Sequence, residues 1–241
     1  MTGVGVVIHL GVFALTCCLG QIVAGRLFQT VTIKKNLELA SSVQELLLPK
    51  KREGTFCQFD FSTKYDQYGK MAGDWMNFWD YSIVEKRLIF GDVIGKGPRA
   101  ALAVASIAAF IESSKNAGDS MDECITRINT GLFQLFDGQL TTTFSGIVMF
   151  EDGHVEVYNC GGVGWTQIKS EGYKYFTMRS SVLGMDTPLR IGHEMINAES
   201  GDVLFAFTDG VLEGNKAVSR MIKPRYWFEY VDTTPFHKWF I

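Results

Sequence analysis

Three aspartates of this chain stand at the ends of predicted strands. Asp74 begins an aromatic strand, Asp92 ends an apolar strand and Asp209 ends another, and each has a glycine directly beside it. Glycine lets neighbouring backbone approach closely and exposes a carbonyl group. Aspartates grouped at strand ends without histidine or cysteine provide the ligands that Mg²⁺ or Mn²⁺ prefers. A simple turn-forming role for each Asp-Gly pair is the alternative that the spacing alone leaves open.

The glycine-rich stretch GDVIGKGPRAALAVA, residues 91–105, fits neither of two common nucleotide-binding patterns. A phosphate loop needs four residues between its first glycine and its Gly-Lys pair, with Ser or Thr next. Here three residues intervene, and Gly97 follows Lys96. A dinucleotide fingerprint needs an acidic residue about 20 positions later at the end of a second strand, whereas Glu112 lies on a predicted helix. Both patterns are therefore disfavoured.

The elements around these aspartates are predicted to be two helices followed by a hairpin. An alanine-rich helix spans residues 98–116, with proline in its first turn. A second helix spans residues 120–136, and Ser120 with Glu123 forms a capping box at its start. Two apolar strands then flank Asp152-Gly153, a dipeptide that suits a type I′ turn.

Further strands are predicted on both sides of this central region. Residues 55–62, TFCQFDFS, alternate with period two and predict one strand, and other strands are expected near 164–169 and 173–178. Helices mixed with antiparallel hairpins predict an α+β fold and disfavour a doubly wound parallel sheet.

Composition narrows the class of protein. The chain has 241 residues, of which 46% are hydrophobic, so it can form one sizeable domain with a core. Its formal net charge of −3 gives no electrostatic reason to expect nucleic-acid binding. Its 5 cysteines form no CxxC pair, which disfavours a zinc site or a disulfide framework and fits a reducing compartment.

The N-terminal segment is predicted to be a transmembrane helix over residues 1–28. Residues 1–25 contain no Asp, Glu, Lys or Arg, and a helix of this length spans roughly 37 Å against a hydrocarbon core of about 30 Å. A cleaved signal peptide is the alternative, although a basic start is lacking. Basic residues follow the segment, which predicts a single-pass cell-membrane protein with its remaining chain in the cytoplasm.

A linker helix is predicted over residues 29–52. Leu37, Ala40, Gln44 and Leu47 follow a spacing of three and four, and Pro49 ends the pattern. This amphipathic helix could pack on its own domain or join two chains in a homodimer.

The order of the motifs resembles that of the SpoIIE/RsbU-type serine phosphatases, the bacterial branch of the metal-dependent protein phosphatase 2C-like (PPM) family. The resemblance covers roughly residues 37–215 and rests on LELASSVQELLLP, AGDWMNFWD, LIFGDVIGKGPRAALAVA, TTTFSGIVMF, VYNCGGVGW and GDVLFAFTDGVLEG. It implies an α-β-β-α sandwich of two antiparallel sheets flanked by helices. The phosphatase-like domain would span residues 53–220, followed by an atypical tail over 221–241.

The resemblance also implies a role for each aspartate. Asp92 would bridge two Mn²⁺ or Mg²⁺ ions, with the Val93 carbonyl as a further ligand. Asp209 would bind one ion, and Asp74 would complete the shell of the other, directly or through water. Asp92 and Asp209 would thus be the catalytic residues, and a metal-activated water would attack the phosphoryl group.

Other positions in the motifs are given less direct roles. Glu213 and Asn159 match family positions and are interpreted as structural. Lys96 replaces a histidine that is usual in the family and either contacts phosphate or lies on the surface.

The C-terminus departs from the family pattern. The family closes with an Asp-Asp-x-Thr segment that supplies another metal carboxylate, and the tail RYWFEYVDTTPFHKWFI lacks the paired aspartate. The resemblance implies a membrane-tethered phosphoserine/phosphothreonine protein phosphatase in bacterial signalling, with phosphorylated regulators of the anti-anti-sigma type as partners. The departure leaves a second hypothesis, a catalytically impaired phosphatase-like binding module.

Overall fold

A computed structural model describes most of the chain from residue 73 to residue 208 and parts of the chain before it. The described residues are 16, 18–26, 53–56, 59–63, 73–95, 97–176, 178–186 and 188–208. The predicted linker helix over 29–52, the tail over 221–241, Lys96 and Asp209 lie outside the described residues.

The described chain forms antiparallel sheets and two long helices. The strands are β1 Glu53–Phe56, β2 Phe59–Ser62, β3 Asp74–Asp80, β4 Glu85–Asp92, β5 Phe144–Phe150, β6 His154–Cys160, β7 Trp165–Lys169, β8 Gly172–Phe176, β9 Gly192–Asn197 and β10 Val203–Phe205. The helices are α1 Pro98–Ala117 and α2 Met121–Phe136. A five-stranded sheet has the order β3-β4-β5-β6-β9, a three-stranded sheet has the order β10-β7-β8, and β1 pairs with β2. The pairings between these strands are all antiparallel, as the sequence predicted.

The five-stranded sheet separates two hydrophobic cores because its strands are apolar on both faces. On one face Ile89 and Phe144 pack against α1 and α2. On the other face Leu88 and Val157 pack with Trp165 of the three-stranded sheet. The layers are therefore helix, sheet and sheet, which matches two antiparallel sheets packed face to face. Among the described residues, the long helices cover only one outer face of this sandwich.

Both predicted helices are present, and their ends follow the sequence signals. α1 begins with Pro98 after Gly97, which has a φ of 84°, and ends at the left-handed Gly118. α2 begins with the predicted capping box, in which the Ser120 hydroxyl accepts from the Glu123 backbone and the Glu123 carboxylate accepts from the Ser120 backbone.

Two local predictions were wrong. The single strand expected over residues 55–62 is a hairpin, with Phe56 of β1 opposite Phe59 of β2. The β5–β6 turn is not type I′, because that turn needs positive φ at both central residues. Gly153 has a φ of 98°, but Asp152 does not adopt a positive φ. The chain closes this turn with one left-handed glycine, which avoids the strain of a second left-handed residue.

The N-terminal segment is described only in part. Residues 18–26 are helical and exposed. Within the part of the chain that the structure describes, no helix is both long enough and apolar enough to span a membrane.

Candidate metal centre

The ends of β3 and β4 bring two of the predicted metal ligands together. Asp74 lies directly opposite Asp92 in the antiparallel register. Directly opposed residues point to the same face of the sheet, with Cα atoms about 5 Å apart. This face also carries Leu88 and Phe90, so both carboxylates lie on the side that packs against the three-stranded sheet. Two carboxylates this close repel each other unless a cation or a proton lies between them.

Gly73 is required by the oxygen atoms that crowd around it. A Cβ atom at this position would overlap with Oδ1 of Asp92 and with the carbonyl oxygen of Val93. The backbone N–H of Val93 also donates to the carbonyl oxygen of Gly73 over 3.0 Å. A carboxylate oxygen and a carbonyl oxygen therefore converge on one point beside Gly73. Such oxygen atoms fit the ligand preference of Mg²⁺ and Mn²⁺.

Two threonines hold the backbone of Asp92, and the sequence analysis did not single them out. The Thr143 N–H donates to the Asp92 carbonyl over 2.8 Å, and the Asp92 N–H donates to the Thr143 hydroxyl over 2.9 Å. The Thr142 hydroxyl lies 2.9 Å from the Asp92 carbonyl oxygen and accepts from the Trp75 indole N–H over 2.8 Å. The sequence feature that could have identified these two residues is the run of three threonines before the apolar strand. In the sequence this run predicts only the start of a hairpin.

The predicted role of glycine next to the acidic residues is confirmed at two positions. Gly73 admits the oxygens of Asp92 and Val93, and Gly91 admits the carbonyl group of Thr143 and the ring of Trp75. A side chain at Gly91 would push β4 away from β5, and Asp92 would lose its support. These glycines thus fix the position of the strand end.

The described residues contain part of the predicted ligand set. They include Asp74, Asp92 and the Val93 carbonyl, whereas Asp209 lies outside them. Among the described residues, no three histidine, cysteine, aspartate or glutamate side chains come together closely enough to hold a metal ion. The observed arrangement is therefore a pair of carboxylates with one convergent carbonyl group.

The buried cysteines that the structure describes have the properties of core residues, not of nucleophiles. Cys124 and Cys160 are both fully buried. Burial raises the pKa of the Cys124 thiol above its usual value and raises the pKa of Cys160 to about 12. A thiol with a raised pKa is protonated at neutral pH and is a poor nucleophile.

Comparison with known proteins relates the chain to one family. The model of the family described as Stage II sporulation protein E (SpoIIE) matches residues 85–234, which is more than half of the chain. The matched range includes Asp92, Val93 and Asp209 but not Asp74. A comparison with curated protein sequences gives no match.

Solved structures share the fold at low sequence identity. The SiaA-PP2C domain of Pseudomonas aeruginosa aligns with a TM-score of 0.60 and 13% identity, covering 77% of this chain and 74% of that one. A structure of the PP2C phosphatase domain and a regulatory fragment of SpoIIE from Bacillus subtilis aligns with a TM-score of 0.57 and 15% identity, covering 68% and 47%. The RsbU and RsbW domains of a Mycobacterium tuberculosis protein align with a TM-score of 0.52 and 19% identity, covering 59% and 40%. The chain thus spans less than half the length of the latter two structures, and these similarities concern the fold.

Proposed function

The chain belongs to the SpoIIE family, and on this premise we propose that it is a Mn²⁺- or Mg²⁺-dependent phosphatase of phosphoserine and phosphothreonine in proteins. The observation that supports the proposal most directly is the convergence of Asp92 Oδ1 and the Val93 carbonyl oxygen beside Gly73, with Asp74 opposite Asp92. The fold shared with PP2C-type phosphatase domains is consistent with it.

In this proposal the chain's own residues hold and orient the metal ligands. Asp74, Asp92 and the Val93 carbonyl would bind divalent cations, and Asp209 would supply a further carboxylate. When bound, a pair of such ions lowers the pKa of water and neutralises phosphoryl oxygens during in-line displacement. Thr142 and Thr143 fix the Asp92 backbone in advance, so the carboxylate needs little rearrangement.

The proposed substrate is a phosphorylated regulatory protein, of the anti-anti-sigma type that the motif resemblance implies. Such a substrate presents its phosphoserine or phosphothreonine on a folded surface. The site must then be open at the edge of the sandwich, and Asp74 and Asp92 stand at strand ends, where a protein surface can approach.

We further propose that residues 1–28 tether the domain to the cell membrane, with the domain in the cytoplasm. The support is the lack of Asp, Glu, Lys and Arg in residues 1–25 and the basic residues that follow. Deleting residues 1–28 should move the protein from the membrane fraction to the soluble fraction, and a reporter fused after Ile241 should behave as cytoplasmic. An alkaline phosphatase fusion that is active in the periplasm would overturn the orientation.

The amphipathic stretch 29–52 is proposed to join two chains. If Leu37, Ala40 and Leu47 form the contact between the two helices, Leu47→Asp should reduce the fraction of dimer while the domain stays folded. Analytical sedimentation measures this fraction. An unchanged dimer fraction would leave this helix with a packing role in its own chain.

The decisive experiment for the function is metal binding and turnover by Asp92→Asn. This change keeps the shape of the side chain and removes its charge. The wild-type chain should gain thermal stability with Mn²⁺, by about 2.7 kcal/mol at 100 times the dissociation constant, and should hydrolyse p-nitrophenyl phosphate. Asp92→Asn should lose most of both effects. Asp80→Asn, at the other end of the same strand as Asp74, is the control and should behave as wild type.

The same experiment separates the two hypotheses for this family member. Mn²⁺ binding with turnover supports the phosphatase. Mn²⁺ binding without hydrolysis of either p-nitrophenyl phosphate or a phosphoserine peptide would indicate a phosphatase-like binding module. A wild-type melting curve that millimolar Mn²⁺ leaves unmoved, together with no heat in calorimetry, would refute the metal assignment of Asp92.

A further inference from the structure

Asn159 is a buried polar residue for which the motif resemblance implies only a structural role. It lies on β6 with an exposed fraction of 3%. Its cross-strand partner on β5 is Ser145, which also has an exposed fraction of 3%, and Ser145 is in turn opposite Phe90 of β4. Opposed residues share a face, so Asn159 and Ser145 lie on the same face as Phe90 and therefore as Asp92.

The amide group of Asn159 has a fixed orientation. Its Nδ2 donates to the carbonyl oxygen of Gly162 over 3.1 Å, which ties β6 to the turn that follows it. Its Oδ1 is fully buried and accepts no hydrogen bond from the described residues. An amide oxygen that is buried without a donor is unfavourable, and in a native fold such an atom usually meets an ordered water or an ion.

Three oxygen atoms crowd around Gly162 on the side where other residues carry a Cβ atom. A Cβ atom at this glycine would lie 2.9 Å from Asn159 Oδ1, 3.0 Å from Ser145 Oγ and 3.5 Å from the Phe144 carbonyl oxygen. These contacts are too short for a side chain at Gly162, so its lack of one lets the oxygens gather beside the Asn159 amide in what we call the recess, formed by Asn159, Ser145 and Gly162. A buried water is stable where two to four polar partners are available, and Asn159 Oδ1 and Ser145 Oγ lie close enough to each other to share one.

The recess and the candidate metal centre are joined through β5 and the residues just before it. Ser145 of β5 is two residues after Thr143, which precedes the strand. The bridge between Val93 and Thr142 continues the β4–β5 register to this point, so the Ser145 and Thr143 side chains point to the same face. Thr143 in turn exchanges hydrogen bonds with the backbone of Asp92. The position of Ser145 and its surroundings thus affects the residue that supports the predicted bridging carboxylate.

From this geometry we infer that Asn159 is a positioning residue of the metal centre, which it supports through an ordered water shared with Ser145. The inference rests on the proposed function and goes beyond it, since neither Asn159 nor Ser145 is among the predicted metal ligands. Asn159 orients the water through Oδ1, and the Ser145 hydroxyl supplies the second partner. Gly162, which has no side chain, lets both oxygen atoms lie close to each other. Residues that support metal ligands in this way typically change metal affinity or activity 10- to 100-fold when they are replaced.

The test compares single and double variants of this recess in the full-length chain. Asn159→Ala and Ser145→Ala should each raise the Mn²⁺ dissociation constant in calorimetry, or lower kcat for p-nitrophenyl phosphate, by 10-fold or more. The KM for p-nitrophenyl phosphate should stay within twofold. Because both residues act through one water, the double variant should lose little more than the worse single variant. Gly162→Ala should reproduce the effect, because its methyl group would displace Asn159 Oδ1 and Ser145 Oγ. Ser145→Thr keeps the hydroxyl and should retain most of the wild-type affinity and kcat.

The outcomes separate this inference from the proposed function. If the wild-type chain gives no heat with Mn²⁺, the proposed function fails and the inference fails with it. If the wild-type chain binds Mn²⁺ and Asn159→Ala binds equally tightly with unchanged kcat, only the inference fails. A lower melting temperature without any change in Mn²⁺ affinity would mean a purely structural Asn159. If Asn159→Ala does not fold, Ser145→Ala and Ser145→Thr decide the matter in the same assays.

Discussion

Gly73 is the residue at which the candidate site depends most directly on the absence of a side chain. Its open side is occupied by the Asp92 carboxylate and the Val93 carbonyl. A methyl group there must displace both of these oxygens, because the backbone of Gly73 cannot move away without disturbing the β3–β4 pairing.

We therefore predict that Gly73→Ala weakens Mn²⁺ binding at least 10-fold in calorimetry, since it disturbs both oxygens at once. Gly25→Ala is the matched control, because a Cβ atom at Gly25 would have no neighbour within 4 Å. It should bind Mn²⁺ as the wild type does. Equal affinity of Gly73→Ala and the wild type would show that the convergence of the two oxygens has no part in metal binding.

The link between β3, β4 and β5 operates at the scale of elements. The buried Thr142 hydroxyl accepts from Trp75 of β3 and lies within bonding distance of the Asp92 carbonyl of β4. One side chain, two residues before β5, thus joins β3 and β4 at the end of the sheet that carries the carboxylates.

Replacing this hydroxyl should be costly because it leaves the buried Trp75 N–H without an acceptor. We predict that Thr142→Val lowers the free energy of unfolding by about 1–3 kcal/mol in urea titrations. Thr141→Val is the control, since the Thr141 side chain makes no hydrogen bond to the described residues. An equally large loss of unfolding free energy for Thr141→Val would contradict this prediction, because it would show that any valine in this segment is destabilising.

The capping box of α2 gives a prediction about pH. Hydrogen bonds from the Ser120 backbone and hydroxyl lower the pKa of Glu123 below its usual value of 4.5. A lowered pKa in the folded state means that the ionised carboxylate stabilises the fold above pH 4.5 and that this contribution disappears as the pH falls through the folded pKa. The stability difference between the wild type and Glu123→Gln should therefore shrink between pH 7 and pH 3 in urea titrations. A difference that is independent of pH would contradict this assignment.

At the scale of the whole molecule, two cores share one sheet. Ile89 lies in the core under the helices, and Val157 lies in the core between the sheets, both with an exposed fraction of 0%. The same five strands contribute side chains to both cores, one on each face of the sheet. Neither core can therefore persist once the strands of this sheet separate from one another.

We predict that Ile89→Ala and Val157→Ala lower the midpoint of the same single unfolding transition. The larger truncation, Ile89→Ala, should cost about 2–5 kcal/mol. Ile83→Ala is the control, because Ile83 is 93% exposed and its truncation should change stability by at most about 0.5 kcal/mol. Tryptophan fluorescence and far-ultraviolet circular dichroism should report coincident transitions, and two separate transitions would mean that the cores unfold independently.

The described elements show how far local sequence signals reach. The ends of α1 and α2 could be predicted because proline, glycine and a capping box act within a few residues. The β5–β6 turn and the β1–β2 hairpin were predicted incorrectly because the choice among turn types depends on loop length and strand pairing. The membrane and linker segments and Asp209 stay predictions.

By itself, the sequence determined which residues could form a metal site, since aspartates beside glycines at strand ends are identified by local pattern. It could not determine that Asp74 and Asp92 are cross-strand partners, because register is fixed by the packing of both faces of the sheet. Nor could it assign Thr142, Thr143 and the recess of Asn159, Ser145 and Gly162, whose members are separated in sequence. Those contacts form only when β3 to β6 align, because a hydrogen bond requires two groups within about 3 Å and only the folded sheet provides that proximity.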